Sequence, residues 1–217
     1  MRAKALYAYC KSKEFLFFPI WLRHLWLRLT TKQNLVVGRY VSMCGAPDVN
    51  GRLMIGMDDS VLSLPQTYTL LKIAGELICR GIVNIHRGCR IEVAKGAQLV
   101  FENCFVNNNC LILCQHGIKI GSESAIGWNT QICDEDYHEI VRCERDVLRG
   151  GGDIRQEINI GKHVLIGNNC YIYKGVTIAD GCVVASNSVV KSSLLESNTL
   201  YAGVPAKAIC KIENWTN

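Results

Sequence analysis

The sequence predicts an all-β protein whose main domain is a parallel β-helix, a stack of short strands wound into coils. The main observation is a six-residue period. Aliphatic residues recur without a gap at Ile154, Ile160, Ile166, Ile172, Ile178, Val184 and Val190. A six-residue unit is too short for a helix–turn–helix or a propeller blade, but it suits one strand and one turn that stack from coil to coil.

The other positions of the repeat indicate how the coils are filled. The residue after each aliphatic is often small, as at Gly161 and Ala179, and the fourth residue after it is small or β-branched, as at Val164. The frame also appears upstream, at Ile120, Ile126 and Ile132 and, shifted, at Val93, Leu99, Phe105 and Leu111. We therefore predict two inward positions in each hexapeptide over most of the chain. Turn positions with asparagine, such as Asn168–Asn169 and Asn187, are suited to the positive φ of a sharp corner.

Length and composition favour one folded domain. The 217 residues leave no room for two large domains, and 49% hydrophobic with 20% charged residues is typical of a folded chain. A formal charge of +5 favours an anionic ligand or a membrane surface, but no Lys/Arg cluster supports nucleic-acid binding.

The twelve cysteines point to a reducing compartment. They are scattered from Cys10 to Cys210 without a CxxC pair, and no secretory signal precedes them. We therefore predict a cytoplasmic protein in which cysteines at repeat positions, such as Cys89, Cys170 and Cys182, serve as small buried apolar residues.

The N-terminal segment, residues 1–34, is predicted to contain an amphipathic helix over residues 19–30. Pro19 suits the first helical turn. One helix face would carry Trp21, Leu22, Leu25, Trp26 and Leu29, and the other Arg23, His24 and Arg28. The charge-free run 15–22 is far shorter than the roughly 20 residues that a bilayer crossing needs. Two interpretations stay open: the apolar face closes the end of the protein's own core, or it holds the protein at the inner face of an anionic membrane.

The repeat is interrupted between Ile132 and Ile154, which predicts a loop insertion over residues 134–153. Insertions on a regular solenoid are frequent places for functional sites. Within this one, Asp134, Asp136 and His138 alternate, so an extended backbone would direct all three side chains to one side. A histidine beside a carboxylate is a competent general base near neutral pH. A surface histidine in an acidic loop is the alternative interpretation.

Over residues 50–207 the pattern resembles the hexapeptide-repeat acyltransferases, with the strongest likeness in 117–138 and 158–207. The resemblance implies a left-handed β-helix with three hexapeptides per coil, here spanning residues 35–207 and followed by a C-terminal tail, 208–217. It also implies a homotrimer whose active sites lie between neighbouring subunits.

The segment "IGWNTQICDEDYHEI" resembles the sugar and xenobiotic O-acetyltransferases of this family, including the capsular and colanic-acid polysaccharide enzymes. His138 matches the family's catalytic base, with Asp136 or Asp134 as its orienter. The resemblance implies transfer of an acetyl group from acetyl-CoA to a carbohydrate hydroxyl, favouring a surface-polysaccharide precursor. Asn109 matches an asparagine that meets the acceptor, although a turn residue is an equal interpretation. Trp128 could stack on a sugar or form a trimer contact.

The resemblance also implies a binding site for acetyl-CoA in the last coils, where the chain reads "VVASNSVVKSS" and "YAGVPAKAI". Asn168 and Ser186 match positions whose backbone contacts the pantetheine arm. The C-terminal turn contributes Gly203 and Lys207, of which the lysine matches a residue near the nucleotide phosphates. Lys191 and Lys211 are close enough in sequence to assist.

Two other functions are compatible with this fold. A γ-type carbonic anhydrase shares this fold but needs two zinc-binding histidines five residues apart, and no two histidines here have that spacing, so we predict no metal. The second alternative is a non-catalytic scaffold protein. Such a protein would be expected to have lost the catalytic base, whereas His138 is present.

Overall fold

The computed structural model describes residues 17–38, 40–57, 67–138 and 157–216, together with Tyr7 and two short strands at 140–141 and 147–148. Ile154 of the predicted repeat lies outside the described residues.

The described chain has one N-terminal helix followed by a long series of short strands. The helix is α1 (Phe17–Thr31). The strands are β1 (Leu35–Val37), β2 (Val41–Cys44), β3 (Asp48–Ile55), β4 (Thr69–Ile73), β5 (Glu76–Ile85), β6 (Arg90–Val93), β7 (Gln98–Glu102), β8 (Phe105–Val106), β9 (Leu111–Cys114), β10 (Gly117–Ile120), β11 (Ala125–Ile126), β12 (Gln131–Cys133), β13 (Ile140–Val141), β14 (Val147–Leu148), β15 (Ile158–Ile160), β16 (Leu165–Ile166), β17 (Tyr171–Ile172), β18 (Thr177–Ile178), β19 (Val183–Val184), β20 (Val189–Val190), β21 (Thr199–Gly203) and β22 (Ala206–Lys211).

The strands form the three faces of a coil. Face 1 contains β7, β10, β15 and β18; face 2 contains β8, β11, β16, β19 and β21; face 3 contains β2, β4, β6, β9, β12, β17 and β20. The long strand β5 belongs to both of the first two faces, because it pairs with β7 through residues 76–80 and with β8 through residues 84–85. All of these pairings are parallel, as the repeat predicts. The predicted all-β, left-handed parallel β-helix is therefore confirmed.

The spacing between paired residues shows where the hexapeptide rule holds. Tyr171 pairs with Val189, which lies three hexapeptides further along the chain. Upstream coils are longer than three hexapeptides, as the pairing of Leu111 with Gln131 shows. Gln131 in turn pairs with Tyr171, and more than two regular coils of sequence separate them, so part of the chain leaves the coil there as an insertion. The antiparallel pair β13 and β14 lies within this insertion.

The interior of the coil is filled by the aliphatic positions of the repeat. Ile126, Ile166 and Val184 stack in register and are at most 1% exposed. The predicted small inward positions, including Cys89, Cys170 and Cys182, are buried as well.

The shifted upstream frame is partly wrong. Val93 and Leu99 face inward, but at the next two positions Val106 and Ile112 are buried while Phe105 and Leu111 are only partly buried. The cause is the extra residues in the upstream coils, which move the strand register by one and reverse the side of the sheet on which each residue lies.

One corner of the coil, between face 2 and face 3, is built from left-handed residues. Gly88, Asn109, Asn129, Asn169 and Asn187 all have positive φ, between 54° and 79°. The N–H groups of the four asparagines donate to carbonyls of the preceding coil; for example, Asn187 N–H donates to Asn168 O at 2.8 Å. The N–H of Gly88 donates instead to Thr69 Oγ1 at 3.0 Å. The prediction of positive φ is thus confirmed at Asn169 and Asn187. We call this the asparagine corner.

Helix α1 packs on the first coil, but through a different face from the one that the sequence suggested. Ile20, His24 and Leu27 are buried against the coil, whereas Trp26 and Leu29 are 63% and 72% exposed. Polar contacts decide the orientation, since Arg23 donates to Gly38 O at 2.9 Å and to Val41 O at 3.2 Å. The interpretation that the apolar face closes the core is therefore wrong. No helix among the described residues is long and apolar enough to span a membrane.

The C-terminal segment folds back onto the coil. Strand β22 pairs antiparallel with β21 and runs to Lys211, so the boundary predicted at residue 207 falls within a strand. Beyond it, the Trp215 indole stacks on His163 with ring centroids 4.4 Å apart and donates to His163 O at 2.8 Å. His163 Nε2 lies 2.7 Å from Asn214 Oδ1. Residues 208–216 therefore cover a corner of the coil.

Candidate active site

Asp134 begins the insertion and is fully buried. Its carboxylate accepts three backbone hydrogen bonds from the preceding coil. Oδ1 accepts the N–H of Gln115 at 2.7 Å, and Oδ2 accepts those of His116 at 2.9 Å and Gly117 at 2.8 Å. These bonds close the turn between β9 and β10, a location where backbone donors would otherwise lack partners. Both oxygens are occupied, so the structure gives Asp134 a structural role and removes it as an orienter of His138.

Glu135 fixes the next part of the same turn. Its Oε2 lies 2.7 Å from His116 Nε2, and its Oε1 accepts the N–H of Asp136 at 2.8 Å and of Tyr137 at 3.3 Å. The hydrogen bond from His116 lowers the pKa of the Glu135 carboxyl, because it favours the ionised form.

Asp136 connects the insertion to the following coil. Its Oδ2 lies 2.7 Å from Lys174 Nζ, in an ion pair whose angles fall outside those of a directional hydrogen bond. The ammonium is buried, whereas the carboxylate is 41% exposed. Among the described residues, Asp136 Oδ1 accepts no hydrogen bond.

His138 follows this fixed turn and is exposed. Tyr137 has a φ of 61°, which breaks the extended backbone just before the histidine. The expectation that Asp134, Asp136 and His138 point the same way is therefore wrong: Asp134 points into the turn and the other two lie outside. We call the region around residues 115–117, 134–138 and 173–175, between face 3 and face 1, the histidine corner. A groove of about 190 Å³ adjoins it on face 1, lined in part by His116, Lys119 and Glu157.

Asn109 and Trp128, the residues expected to meet the acceptor, lie at the asparagine corner. Asn109 has a φ of 61°, and its side-chain oxygen lies over Gly88 of the preceding coil, as a stacked turn residue would. Trp128 is partly buried. Its indole Nε1–H is buried and has no hydrogen-bond acceptor among the described residues.

Two of the residues expected to bind the acyl donor, Asn168 and Ser186, stack at this same corner. Asn168 Oδ1 accepts the N–H of Trp128 at 2.9 Å, and the Asn168 N–H donates to Ser186 Oγ at 3.0 Å. Their side chains therefore join three successive coils, and Ser186 remains exposed.

The expected phosphate-binding lysines differ in their freedom to bind a ligand. Lys211 Nζ donates to Ser197 O at 3.0 Å and to Thr199 Oγ1 at 2.9 Å, and it pairs with Glu196 at 3.2 Å. Its ammonium is thus committed to the chain's own last coil. Lys191 and Lys207 are exposed, and Gly203, with a φ of 108°, ends β21 at the hairpin turn.

The residues expected to act as base and orienter and those expected to meet the acceptor and the pantetheine arm thus lie at opposite ends of face 3. Strand β12 lies between them, and the chain from Asn129 to Asp134 spans at most about 17 Å at roughly 3.3 Å per residue. Within one chain His138 lies two residues from Asp136 in the same turn, whereas Asn109, Trp128, Asn168 and Ser186 lie at the other corner.

Sequence reasoning missed His116, Glu135 and Lys174, which hold the segment that carries His138. Glu135 was visible as the middle residue of an acidic run at the point where the repeat breaks. His116 and Lys174 had no signal, because they meet the run only through the stacking of coils. Over the described residues, no group of three His, Cys, Asp or Glu side chains could hold a metal ion.

Comparison with known proteins places the chain among bacterial transferases. Residues 157–192 match the family model described as bacterial transferase hexapeptide (six repeats). The chain is 32% identical over 210 residues to a 24.8 kDa protein in the cps region of Klebsiella pneumoniae, covering 95% of this chain and 92% of that protein. It is also 36% identical over 75 residues to nodulation protein L of Rhizobium meliloti (strain 1021), covering 35% of this chain and 39% of that protein.

Solved structures share the fold. AntD, an N-acyltransferase from Bacillus cereus solved with dTDP and 3-hydroxybutyryl-CoA, is 19% identical, with a TM-score of 0.50 over 83% of this chain and 81% of AntD. A point mutant of AntD, solved with dTDP and coenzyme A, is 18% identical, with a TM-score of 0.51 over 86% of this chain and 89% of the mutant. The hexapeptide coils, the family match within them and the relative matched over nearly its whole length lead to one conclusion. The chain belongs to the hexapeptide-repeat family of bacterial transferases.

Proposed function

We propose that this acyltransferase is an acetyl-CoA-dependent O-acetyltransferase that acts on a hydroxyl of a carbohydrate, in a surface-polysaccharide precursor on the cytoplasmic side. The observation that carries the proposal is the histidine corner. His138 is exposed there at the end of a coil, on a turn held by Asp134, Glu135 and Asp136. A base held at a fixed place beside a groove suits proton transfer to and from a bound substrate.

In the proposed reaction His138 removes the proton from the acceptor hydroxyl. The hydroxyl oxygen then attacks the thioester carbonyl carbon, a C–O bond forms, and the C–S bond breaks. The proton returns through His138 to the leaving thiolate. Asp136 is the orienter in this proposal, because Lys174 holds only its Oδ2 and leaves Oδ1 for the imidazole.

We further propose that the site is completed by a second chain in a homotrimer. Asn109, Trp128, Asn168 and Ser186 lie at the asparagine corner, at the other end of face 3 from the histidine corner of the same chain. A site that uses both groups therefore requires the histidine corner of one chain to face the asparagine corner of another. The buried Nε1–H of Trp128, which has no acceptor in the described part of the chain, gives that corner a donor for an acceptor oxygen. Lys191 and Lys207 supply exposed cations for the phosphates of the acyl donor.

The relatives guide the choice of acceptor. The Klebsiella relative lies in a cps region, and AntD was solved with the nucleotide dTDP. We therefore place nucleotide sugars and polysaccharide fragments first in an acceptor panel, followed by free sugars and antibiotics.

The first experiment measures acetyl-CoA turnover as free thiol, for the wild type and His138→Ala, across this panel. We expect acceptor-dependent release that falls by about 100-fold in the variant. Tyr137→Phe is the matched control, because it alters the exposed neighbour and keeps its ring. Alkaline hydroxylamine cleaves an acetyl ester but leaves an acetamide, so treatment of the isolated product distinguishes O-transfer from N-transfer. An acceptor-dependent rate that is unchanged in His138→Ala would refute the role of His138 as the general base. An absence of acetyl-CoA binding by calorimetry would favour the scaffold alternative.

A mixing experiment tests the shared site. His138→Ala and Trp128→Ala are each expected to lose most activity, and co-expression of the two variants is expected to restore part of it. Only a site built from two chains can combine a wild-type histidine corner with a wild-type asparagine corner. Mixed oligomers that stay inactive, or a monomer in analytical ultracentrifugation, would contradict the assembly.

A further inference from the structure

The outward face of α1 is apolar, and no other described residue of the chain covers it. Leu22, Leu25, Trp26 and Leu29 are spaced as one helical stripe, and their exposed fractions are 45%, 38%, 63% and 72%. They lie opposite the stripe that packs on the coil. A monomeric soluble protein rarely leaves so continuous an apolar stripe in water unless it serves to bind something.

The coil holds the helix in this orientation. Arg23 donates to two carbonyls at the end of the first coil, and His24 Nδ1 lies 2.7 Å from Leu35 O. Rotating the helix to bury Trp26 and Leu29 would break all three contacts and would expose Ile20 and Leu27. The outward stripe is thus a fixed feature of the fold, and its apolar residues are available for a partner.

The distribution of charge identifies the partner's chemistry. Residues 1–34 contain seven Lys/Arg and one Asp/Glu, a net charge of +6, while the remaining residues contain 17 and 18, a net charge of −1. The positive charge of the chain is therefore concentrated in the segment that carries the apolar stripe. Arg28 and Lys32 are exposed beside the stripe.

We propose that α1 lies flat on an anionic bilayer surface. Leu22, Leu25, Trp26 and Leu29 enter the boundary between headgroups and acyl chains, and Arg28 and Lys32 contact anionic headgroups. A second copy of the chain is a poorer occupant, because contact through this face would bring together two segments that each carry a net charge of +6. The inference goes beyond the proposed function, since binding to a bilayer needs neither acetyl-CoA nor an acceptor.

The test is co-sedimentation of the full chain with vesicles. One set is pure phosphatidylcholine, and the other is an equal mixture of phosphatidylcholine and phosphatidylglycerol. We expect the wild type to bind the mixed vesicles at least about tenfold more tightly than the neutral ones, and less tightly as salt is raised. Trp26→Ser/Leu29→Ser is expected to lower binding to mixed vesicles by about tenfold or more. Leu195→Ser, which alters a 70% exposed leucine in a loop of the last coils, is expected to bind like the wild type.

A second variant separates the contribution of charge to vesicle binding from that of apolar contact. Its result does not depend on whether Trp26→Ser/Leu29→Ser folds. Arg28→Glu/Lys32→Glu alters only exposed side chains and is expected to abolish the preference for mixed vesicles. Three results would each overturn the proposal: no binding of the wild type to mixed vesicles, equal binding by the serine double variant, or a wild-type dimer that the serine double variant dissociates. The last result would assign the stripe to a second copy.

Discussion

Replacing Asp134 by asparagine tests the structural role of the buried carboxylate. Oδ2 accepts two N–H groups and Oδ1 accepts one, so the carboxylate holds three backbone donors of the turn at residues 115–117. Asparagine has one oxygen and one NH₂ group. Its best placement keeps the oxygen where Oδ2 lies and turns the NH₂ group toward the Gln115 N–H, so that two donors face each other.

The expected loss is about 2–4 kcal/mol in the free energy of unfolding, because one hydrogen bond to a charged group disappears and a buried donor is left without a partner. For a chain of this size, a loss of about 3 kcal/mol corresponds to a fall of about 6–12 °C in melting temperature. Urea denaturation at a fixed protein concentration gives the free energy, and calorimetry gives the melting temperature.

Asp180→Asn is the matched control. Asp180 Oδ1 accepts a single N–H, from Lys162 at 2.7 Å, and an asparagine oxygen can accept the same bond. We expect a change within about 0.5 kcal/mol. If Asp134→Asn is destabilised no more than Asp180→Asn, the three hydrogen bonds do not hold the turn and the reasoning fails.

Two further predictions concern ionisable side chains. Because His116 lowers the pKa of Glu135, the ionised carboxylate stabilises the fold above its ordinary pKa of about 4.3, and this contribution is lost as pH falls through the lower folded-state pKa. The stability difference between the wild type and Glu135→Gln, measured by urea denaturation, should therefore shrink between pH 7 and pH 3; a difference that widens toward low pH would contradict the pairing. Burial raises the pKa of the Cys79 and Cys114 thiols to about 12, so iodoacetamide at pH 8 should leave them unmodified in the folded protein. Among the described cysteines, only the exposed Cys44 and Cys210 should react quickly. Mass spectrometry of the Cys44→Ser/Cys210→Ser variant should therefore show two fewer rapid modifications than the wild type. Rapid labelling of Cys79 or Cys114 would refute their assigned burial.

The six-residue period by itself determined the fold class and the start of the insertion. Ile160, Ile166 and Ile172 recur at a spacing that only a short strand and a turn can repeat, and stacking then buries them. The period also determined that cysteines at small inward positions are buried. It did not determine the burial of Phe105 and Leu111, because extra residues in the longer upstream coils change the strand register and no local pattern marks where they enter.

Tertiary structure decided what the candidate site contains and which face α1 exposes. Asp134, Asp136 and His138 alternate in sequence, but Asp134 turns inward because three unsatisfied backbone donors of another coil lie within its reach. The helix turns Arg23 and His24 toward the coil rather than its most apolar stripe, and there they contact the backbone carbonyls of Gly38 and Leu35. In both cases the side chain is held by backbone groups that the winding of the chain brings close. A sequence pattern shows which side chains are present, but it does not show which backbone groups those side chains will contact.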